Sequence, residues 1–194
     1  MHSLDKDLTE HCISTQTIVS GGMLTVKYDQ VLLPNGNISQ REYVMHPGAV
    51  VVVPILSNGN VVLEKQFRYP LHQVFIELPA GKIDTNEEVL VTGQRELFEE
   101  TGYTATDWIM LGHQHPCIGY SNEVIHMFLA LRLTAGKHQR DENESMKVFD
   151  ASFADCLNMI QNSQITDGKT IVALLMAEKY LQVHPQVHRH ASIV

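Results

Sequence analysis

The chain has 194 residues, 44% of them apolar and 19% charged, which suits one well-cored globular domain or one domain with a small addition. The longest apolar run, Ala49 to Ile55, is far too short to span a bilayer, and the formal net charge of -8 argues against a nucleic-acid backbone as the partner. Because no basic-then-apolar leader follows Met1 and the three cysteines are scattered, we expect a cytoplasmic protein with reduced thiols.

The first part of the chain predicts a small antiparallel sheet. Residues 1 to 20 are polar and carry little signal, whereas the stretch from Gly22 to Leu33 alternates in the manner of a strand. Pro34 to Asn37 has the residue types of a tight turn, and Arg41 to Met45 predicts the returning strand. Such a hairpin buries little apolar surface by itself, so we expect it to pack on something else.

A buried strand and a second hairpin are predicted next. Ala49 to Ile55 favours a buried strand, Asn58-Gly59 a hairpin turn, and Val61 to Phe67 the returning strand. Arg68 follows directly and has two interpretations. Its guanidinium either contacts a phosphate, for which its fork of donors is suited, or forms a salt bridge at the rim.

A helix with clustered acidic residues lies between Gly81 and Tyr103. Apolar and small residues recur at intervals of three and four, which predicts one buried helix face made of Leu90, Gly93, Leu97 and Thr101. Gly102 stands where a left-handed helix end is expected.

The acidic residues of this helix predict a metal site. Glu96, Glu99 and Glu100 lie within about one turn of each other, and like charges at this spacing destabilise a helix. Hard divalent cations such as Mg²⁺ or Mn²⁺ favour an all-oxygen arrangement of this kind. Such an ion would also allow an anionic phosphate to approach a chain of net negative charge. The alternative is a solvated acidic helix face.

The remainder of the chain predicts three more strands and two helices. These are strands at Trp108 to His113, Val124 to Leu133 and Met146 to Phe149, and helices at Ser152 to Ile160 and Lys169 to Leu181. Strands that alternate with helices predict an α/β sandwich, with a mixed sheet between helices. Three histidines, His113, His115 and His126, lack a tight ligand pattern with Cys or Asp, so we interpret them as loop and core residues rather than a zinc site.

The spacing between Gly81 and Tyr103 resembles the Nudix box. That box is a glycine, five residues, a glutamate, seven residues, and then Arg-Glu-apolar-any-Glu-Glu-any-Gly-apolar. Its places are held here by Gly81, Glu87, Arg95, Glu96, Leu97, Glu99, Glu100, Gly102 and Tyr103. The resemblance implies a Nudix-fold α/β/α sandwich over residues 46–194. It also implies a small N-terminal antiparallel β-sheet over residues 1–45, of the kind that helps to form a homodimer in the ADP-ribose pyrophosphatase branch.

The resemblance also implies roles for the residues around the box. The metal ligands would be Ala80, through its carbonyl, with Glu96, Glu99 and Glu100. Arg95 would pair with Glu87 or Glu99 rather than touch the substrate. In the acidic loop Arg140 to Glu144, Glu142 would be the general base and Glu144 a further ligand; the alternative is a solvated loop.

Four further residues are implied as substrate contacts. Arg68 and Glu77 would lie near the substrate, although Glu77 could instead be a strand-edge carboxylate paired with a lysine. Ser121 and Glu123 lie in a loop that resembles the specificity loop of the family, where they would contact substrate or metal. The loop departs from the usual Ser-Pro-Gly order, because two residues separate Pro116 from Gly119.

The function that the resemblance implies is metal-dependent hydrolysis of the diphosphate bond of ADP-ribose or another nucleoside-diphosphate sugar. The products would be a nucleoside monophosphate and a sugar phosphate. One alternative is pyrophosphate release from nucleoside triphosphates, including oxidised ones. Another is a non-catalytic, ligand-sensing Nudix domain. The N-terminal sheet and the Pro116 to Glu123 loop favour the sugar substrate, and the complete box favours an enzyme.

Overall fold

The computed structural model describes residues 7–21, 24–136 and 145–187. The strands are β1 (His11–Ser20), β2 (Thr25–Leu32), β3 (Ile38–Met45), β4 (Ala49–Pro54), β5 (Asn60–Arg68), β6 (Gln73–Glu77), β7 (Ala80–Lys82), β8 (Tyr103–Gln114), β9 (Ile125–Ala135) and β10 (Met146–Ser152). The α-helices are α1 (Val89–Thr101), α2 (Phe153–Gln161) and α3 (Gly168–Val183), and a short 3-10 helix, Tyr69–Leu71, joins β5 to β6. None of the helices in the described ranges has the length and apolar character needed to cross a membrane.

The chain forms two compact units. The first contains the residues up to Pro47 together with Cys117–Glu123, and the second contains Gly48–Pro116 and the chain from Val124 onward.

The first unit is a three-stranded antiparallel sheet in the order β1-β2-β3. The predicted turn between β2 and β3 is present: Gly36 has a φ of 84°, and its N–H donates to the Leu33 carbonyl at 2.9 Å. The loop Cys117–Glu123 belongs to this unit because the Val44 N–H donates to the Tyr120 carbonyl at 2.8 Å.

Strand β1 was not predicted from the sequence. All ten of its residues are exposed, so burial imposes no alternation of apolar and polar types on them. Its register against β2 also shifts twice, between Cys12 and Ser14 and between Thr17 and Val19. Each shift breaks the two-residue period by which a strand is recognised.

The second unit is built on a mixed four-stranded sheet in the order β7-β4-β9-β8, in which β4 and β9 are parallel. Strand β4 is buried on both faces. Val50 packs in a cluster with Leu97 of α1, and its neighbour Val51 packs in another with Leu174 of α3. This confirms the predicted arrangement of a mixed sheet between helices, and it explains why β4 reads as an unbroken apolar run.

The predicted hairpin of β4 and β5 is wrong, although its turn is correct. Gly59 has a φ of 85°, and its N–H donates to the Leu56 carbonyl at 2.9 Å. Beyond an isolated bridge between Ile55 and Val61, however, the two strands belong to different sheets. Both edges of β4 are occupied by β7 and β9, so β5 pairs instead with β6 and β10 in a three-stranded antiparallel sheet.

The other predicted elements are present with shifted ends. Strand β8 shifts the most, because it begins at Tyr103 rather than Trp108.

Candidate active site

Helix α1 carries the acidic residues and is fixed on the sheet by its opposite face. Gly93 approaches the sheet so closely that a Cβ added there would lie 3.2 Å from Val50 Cγ1. The helix ends at Gly102, with a φ of 79° and an N–H that donates to the Phe98 carbonyl at 2.8 Å, as predicted. Leu90 departs from the prediction: it is 39% exposed, whereas Gly93, Leu97 and Thr101 are buried.

Two carboxylates of α1 lie against strand β7. Glu100 is only 5% exposed, and its Oε2 accepts the Ala80 N–H at 3.0 Å. The Glu96 carboxylate lies over Gly81, since a Cβ added at Gly81 would fall 1.8 Å from Glu96 Oε1. The absence of a side chain at position 81 therefore makes room for Glu96. Two carboxylates and a strand that offers backbone carbonyls come together here.

Arg95 is the cation that allows the acidic residues to coexist. Its Nη1 donates to Glu96 Oε1 at 2.7 Å and to Glu99 Oε2 at 3.1 Å. Its Nε and Nη2 donate to the two oxygens of Glu87, each at 2.9 Å, and Nη2 also reaches the Lys82 carbonyl. The sequence predicted that Arg95 pairs with Glu87 or Glu99, and the structure contains both contacts. Glu99 is the most open of these carboxylates, with its side chain 41% exposed.

Glu87 is fixed by several donors in the loop before α1. Thr92 Oγ1 donates to Glu87 Oε2 at 2.8 Å, and the Asp84 N–H donates to the same oxygen at 3.3 Å. The hydrogen bonds from Arg95 are the largest influence, and they lower the pKa of Glu87 to about 2.

The lowered pKa predicts a pH-dependent contribution of Glu87 to stability. A carboxylate whose pKa is lower in the folded state stabilises the fold above its unfolded pKa of 4.5. That contribution is lost as the pH falls from about 4.5 toward 2. We therefore expect Glu87→Gln to reduce the free energy of unfolding by about 1–2 kcal/mol at pH 7, with the difference from wild type narrowing at pH 3.5. Urea unfolding at both pH values measures this.

The matched control is Glu88→Gln, because Glu88 is exposed and its side chain makes no capping hydrogen bond. A Glu87→Gln deficit of the same size at both pH values would contradict the prediction.

Arg68 and Glu77, two residues predicted to lie near a substrate, contact each other. Arg68 Nε donates to Glu77 Oε1 and Arg68 Nη2 to Glu77 Oε2, both at 2.7 Å. Lys169 Nζ also donates to Glu77 Oε2. The geometry therefore contains both the arginine salt bridge and the lysine-paired carboxylate that the sequence offered as alternatives. Burial by itself would raise the pKa of Glu77, but Arg68 and Lys169 outweigh it and hold the pKa below its usual value.

The box and the fold around it match a known family. The NUDIX domain family matches residues 45–165. The chain belongs to the NUDIX domain family. It is 38% identical to the ADP-ribose pyrophosphatase of Bacillus subtilis over 92% of this chain and 95% of that protein. It is also 36% identical to the methanol dehydrogenase activator of Bacillus methanolicus, over 93% of this chain and 96% of that protein.

A solved structure shares the fold. The crystal structure of an ADP compounds hydrolase superposes with a TM-score of 0.83 at 20% identity, over 91% of this chain and 97% of that one.

The other predicted site residues of this Nudix protein lie elsewhere in the chain. Ser121 and Glu123 belong to the first unit, where Ser121 Oγ accepts the Glu123 N–H at 3.1 Å and Glu123 Oε1 lies 3.6 Å from His46 Nδ1. Glu142 and Glu144 lie outside the described residues.

The histidines near the Nudix sheet form a loose group. The ring centroid of His113 lies 5.5 Å from that of His115 and 6.0 Å from that of His126. In the part of the chain that the structure describes, no three His, Cys, Asp or Glu side chains converge closely enough to hold a metal ion. The donors at the Nudix box differ from such a cluster, because they combine two carboxylates with a strand backbone.

Sequence reasoning missed three residues around Glu77. Lys169 contacts Glu77, Asp167 contacts Lys169, and Thr170 accepts the Leu78 N–H at 2.9 Å. The sequence predicted a helix from Lys169 to Leu181, but Glu77 and Lys169 are separated by 92 positions. No local pattern could join them.

Proposed function

We propose that this Nudix protein hydrolyses the diphosphate bond of ADP-ribose or another nucleoside-diphosphate sugar to a nucleoside monophosphate and a sugar phosphate. The observation that carries the proposal is a complete Nudix box whose Glu96 and Glu100 lie against Ala80 and Gly81. The similarity to an ADP-ribose pyrophosphatase, over nearly the full length of both chains, supports the choice of substrate class.

The residues at the box fit a hard divalent cation, Mg²⁺ or Mn²⁺. Glu96 and Glu100 offer carboxylate oxygens and Ala80 offers its carbonyl. Glu99, whose Oε2 accepts a hydrogen bond from Arg95 in this structure, is our predicted fourth ligand. When bound, such an ion supplies charge neutralisation at phosphoryl oxygens and lowers the pKa of a water. Arg95 donates hydrogen bonds that hold the side chains of Glu96 and Glu99 in place. It also binds Glu87, which fixes the loop before α1 against the helix.

Residues outside the box complete the proposal. Arg68 offers the edge of its guanidinium that faces away from Glu77 to a phosphate. Glu142 accepts the proton of the attacking water as general base, and Glu144 is a further ligand. Ser121 and Glu123 contact the substrate. These four roles remain predictions from the family resemblance.

We place the protein in the cytoplasm, as its scattered cysteines suggest.

A second copy of the chain is the proposed partner of the first unit. The three strands of that unit expose Ile13, Ile18, Val19, Leu32, Ile38 and Met45. Apolar side chains in such numbers on a small sheet favour a covering partner. We expect the mass measured by light scattering to be twice the chain mass of 21.8 kDa. Replacement of Ile13 and Ile38 by Lys should halve it, and a monomeric wild type would contradict the proposal.

A substrate panel tests the proposed activity. We expect AMP and ribose 5-phosphate from ADP-ribose in Mg²⁺ or Mn²⁺, with no turnover in EDTA, as measured by ion-exchange chromatography of the products. Faster release of pyrophosphate from ATP or an oxidised dGTP would favour the triphosphate alternative. Binding without turnover of any compound in the panel, which should include GDP-mannose, would favour a ligand-sensing domain.

A further inference from the structure

We propose that Lys169 is a positioning residue that acts through Glu77 to fix the guanidinium of Arg68 for an anionic diphosphate. The inference rests on the proposed function, because it deepens the role given there to Arg68. It concerns five side chains of one unit, on β5, on β6 and at the start of α3.

Glu77 is the centre of the arrangement. It is the last residue of β6 and only 1% exposed, yet its carboxylate receives three charge-assisted hydrogen bonds. Arg68 supplies two of them in parallel and Lys169 the third, at Oε2. A buried carboxylate with a single cationic partner could rotate about its terminal bond. The third bond, arriving from another element, fixes the plane of the carboxylate and therefore the plane of the arginine fork.

Lys169 is itself held at its other side. Its Nζ lies 3.0 Å from Asp167 Oδ2, and that oxygen accepts the Thr170 N–H at 3.0 Å as the N-cap of α3. Thr170 Oγ1 donates to Asp167 at 2.6 Å and accepts the Leu78 N–H, so the helix start is tied to the residue that follows Glu77. These hydrogen bonds hold the start of α3, which carries Lys169, beside the end of β6, which carries Glu77.

Arg68 has the exposure that a binding residue needs. Its side chain is 42% exposed, whereas that of Glu77 is 2% exposed. The bond pattern with Glu77 uses the Nε and Nη2 edge. Within the described ranges no side chain or backbone group accepts a hydrogen bond from Nη1, and that edge of the guanidinium is the one we assign to an anion. An arginine held in one plane loses less conformational freedom when it binds a phosphate than one that must first be ordered. Lys169 would therefore affect substrate affinity without touching the substrate.

The test measures binding of ADP-ribose by calorimetry in EDTA, where no hydrolysis occurs, and the KM and kcat of hydrolysis in Mg²⁺. We expect Lys169→Met to weaken binding and raise KM by about tenfold, with kcat changed less than about threefold. Lys169→Arg, which keeps the charge, should restore most of the affinity. Lys179→Met is the matched control, because Lys179 is an exposed lysine of the same helix.

A double-variant comparison distinguishes positioning from a merely structural role. If Lys169 acts through Arg68, then Lys169→Met should cause no further loss of affinity in an Arg68→Met background. If Lys169→Met does not fold, Lys169→Gln takes its place. Its neutral amide weakens the contact with Glu77, so we expect a smaller loss of affinity that is again absent in the Arg68→Met background.

Unchanged affinity in folded Lys169→Met, or an equal loss in the Arg68→Met background, would overturn the inference. A wild type that binds ADP-ribose no better than Lys169→Met would overturn it as well. Absence of hydrolysis by the wild type, with a loss of binding in Lys169→Met, would reject only the proposed activity.

Discussion

Glu100→Gln is expected to lower kcat for ADP-ribose hydrolysis by about 10²–10³-fold, which corresponds to roughly 3–4 kcal/mol in the activation barrier. The reason is the loss of a negative charge among the oxygens that we assign to the divalent ion. The fold should be preserved, because the Gln amide oxygen can still accept the Ala80 N–H that Glu100 Oε2 now accepts. The melting temperature should therefore stay within about 3 °C of wild type.

Two measurements show whether the lower kcat of Glu100→Gln results from weaker binding of the divalent ion. Calorimetric titration with Mn²⁺ should show weaker binding in Glu100→Gln, and Glu88→Gln at the exposed start of the same helix should match the wild type in both assays. Turnover by Glu100→Gln equal to that of the wild type would remove Glu100 from the set of metal ligands.

Gly81→Ala is expected to reduce kcat by about 10–10²-fold by displacing a neighbouring side chain. The new Cβ would lie within 2.4 Å of all three carboxylate atoms of Glu96, so that carboxylate must move away from β7. Its flexible side chain can do so at little cost to stability, and Ala in place of Gly also restricts the unfolded chain. We therefore expect a free energy of unfolding within about 1 kcal/mol of wild type.

The comparison for Gly81→Ala is Gly168→Ala, because a Cβ at Gly168 meets no atom within 4 Å. It should behave as wild type in activity and in Mn²⁺ titration. If Gly81→Ala retained full turnover, contact between Glu96 and the Gly81 backbone would have no part in catalysis.

The sequence correctly predicted features that depend on residues close together in the chain, such as the end of α1 and the contacts of Arg95. Helix α1 ends at Gly102 because a residue with positive φ stops the helix there, and that requirement is visible in the chain. Arg95 contacts Glu87 and Glu99 because the box spacing and a single helical turn bring them together.

The predictions failed where distant parts of the chain compete for the same partner. The Asn58-Gly59 turn predicted a hairpin, but β9, which follows α1 and β8, occupies the edge of β4 that β5 would have needed. Likewise, Lys169 and Glu77 are 92 positions apart, so their contact depends on the tertiary fold and not on a local pattern. Leu90 fits the helical period but is 39% exposed, because the face of α1 that packs on the sheet runs through Val89 and Gly93 at this end of the helix.

The central position of β4 has a consequence during synthesis. The parallel neighbour of β4 leaves the ribosome only after the Nudix box and β8 have been made. Until then the valines of β4 lack the strand that pairs with one of its two edges. Pairing β4 with β9 closes a long loop, which is slow. Expression at low temperature, or with a chaperone that binds exposed apolar strands, should raise the yield of native enzyme more than it would for a protein whose sheet is made of successive hairpins.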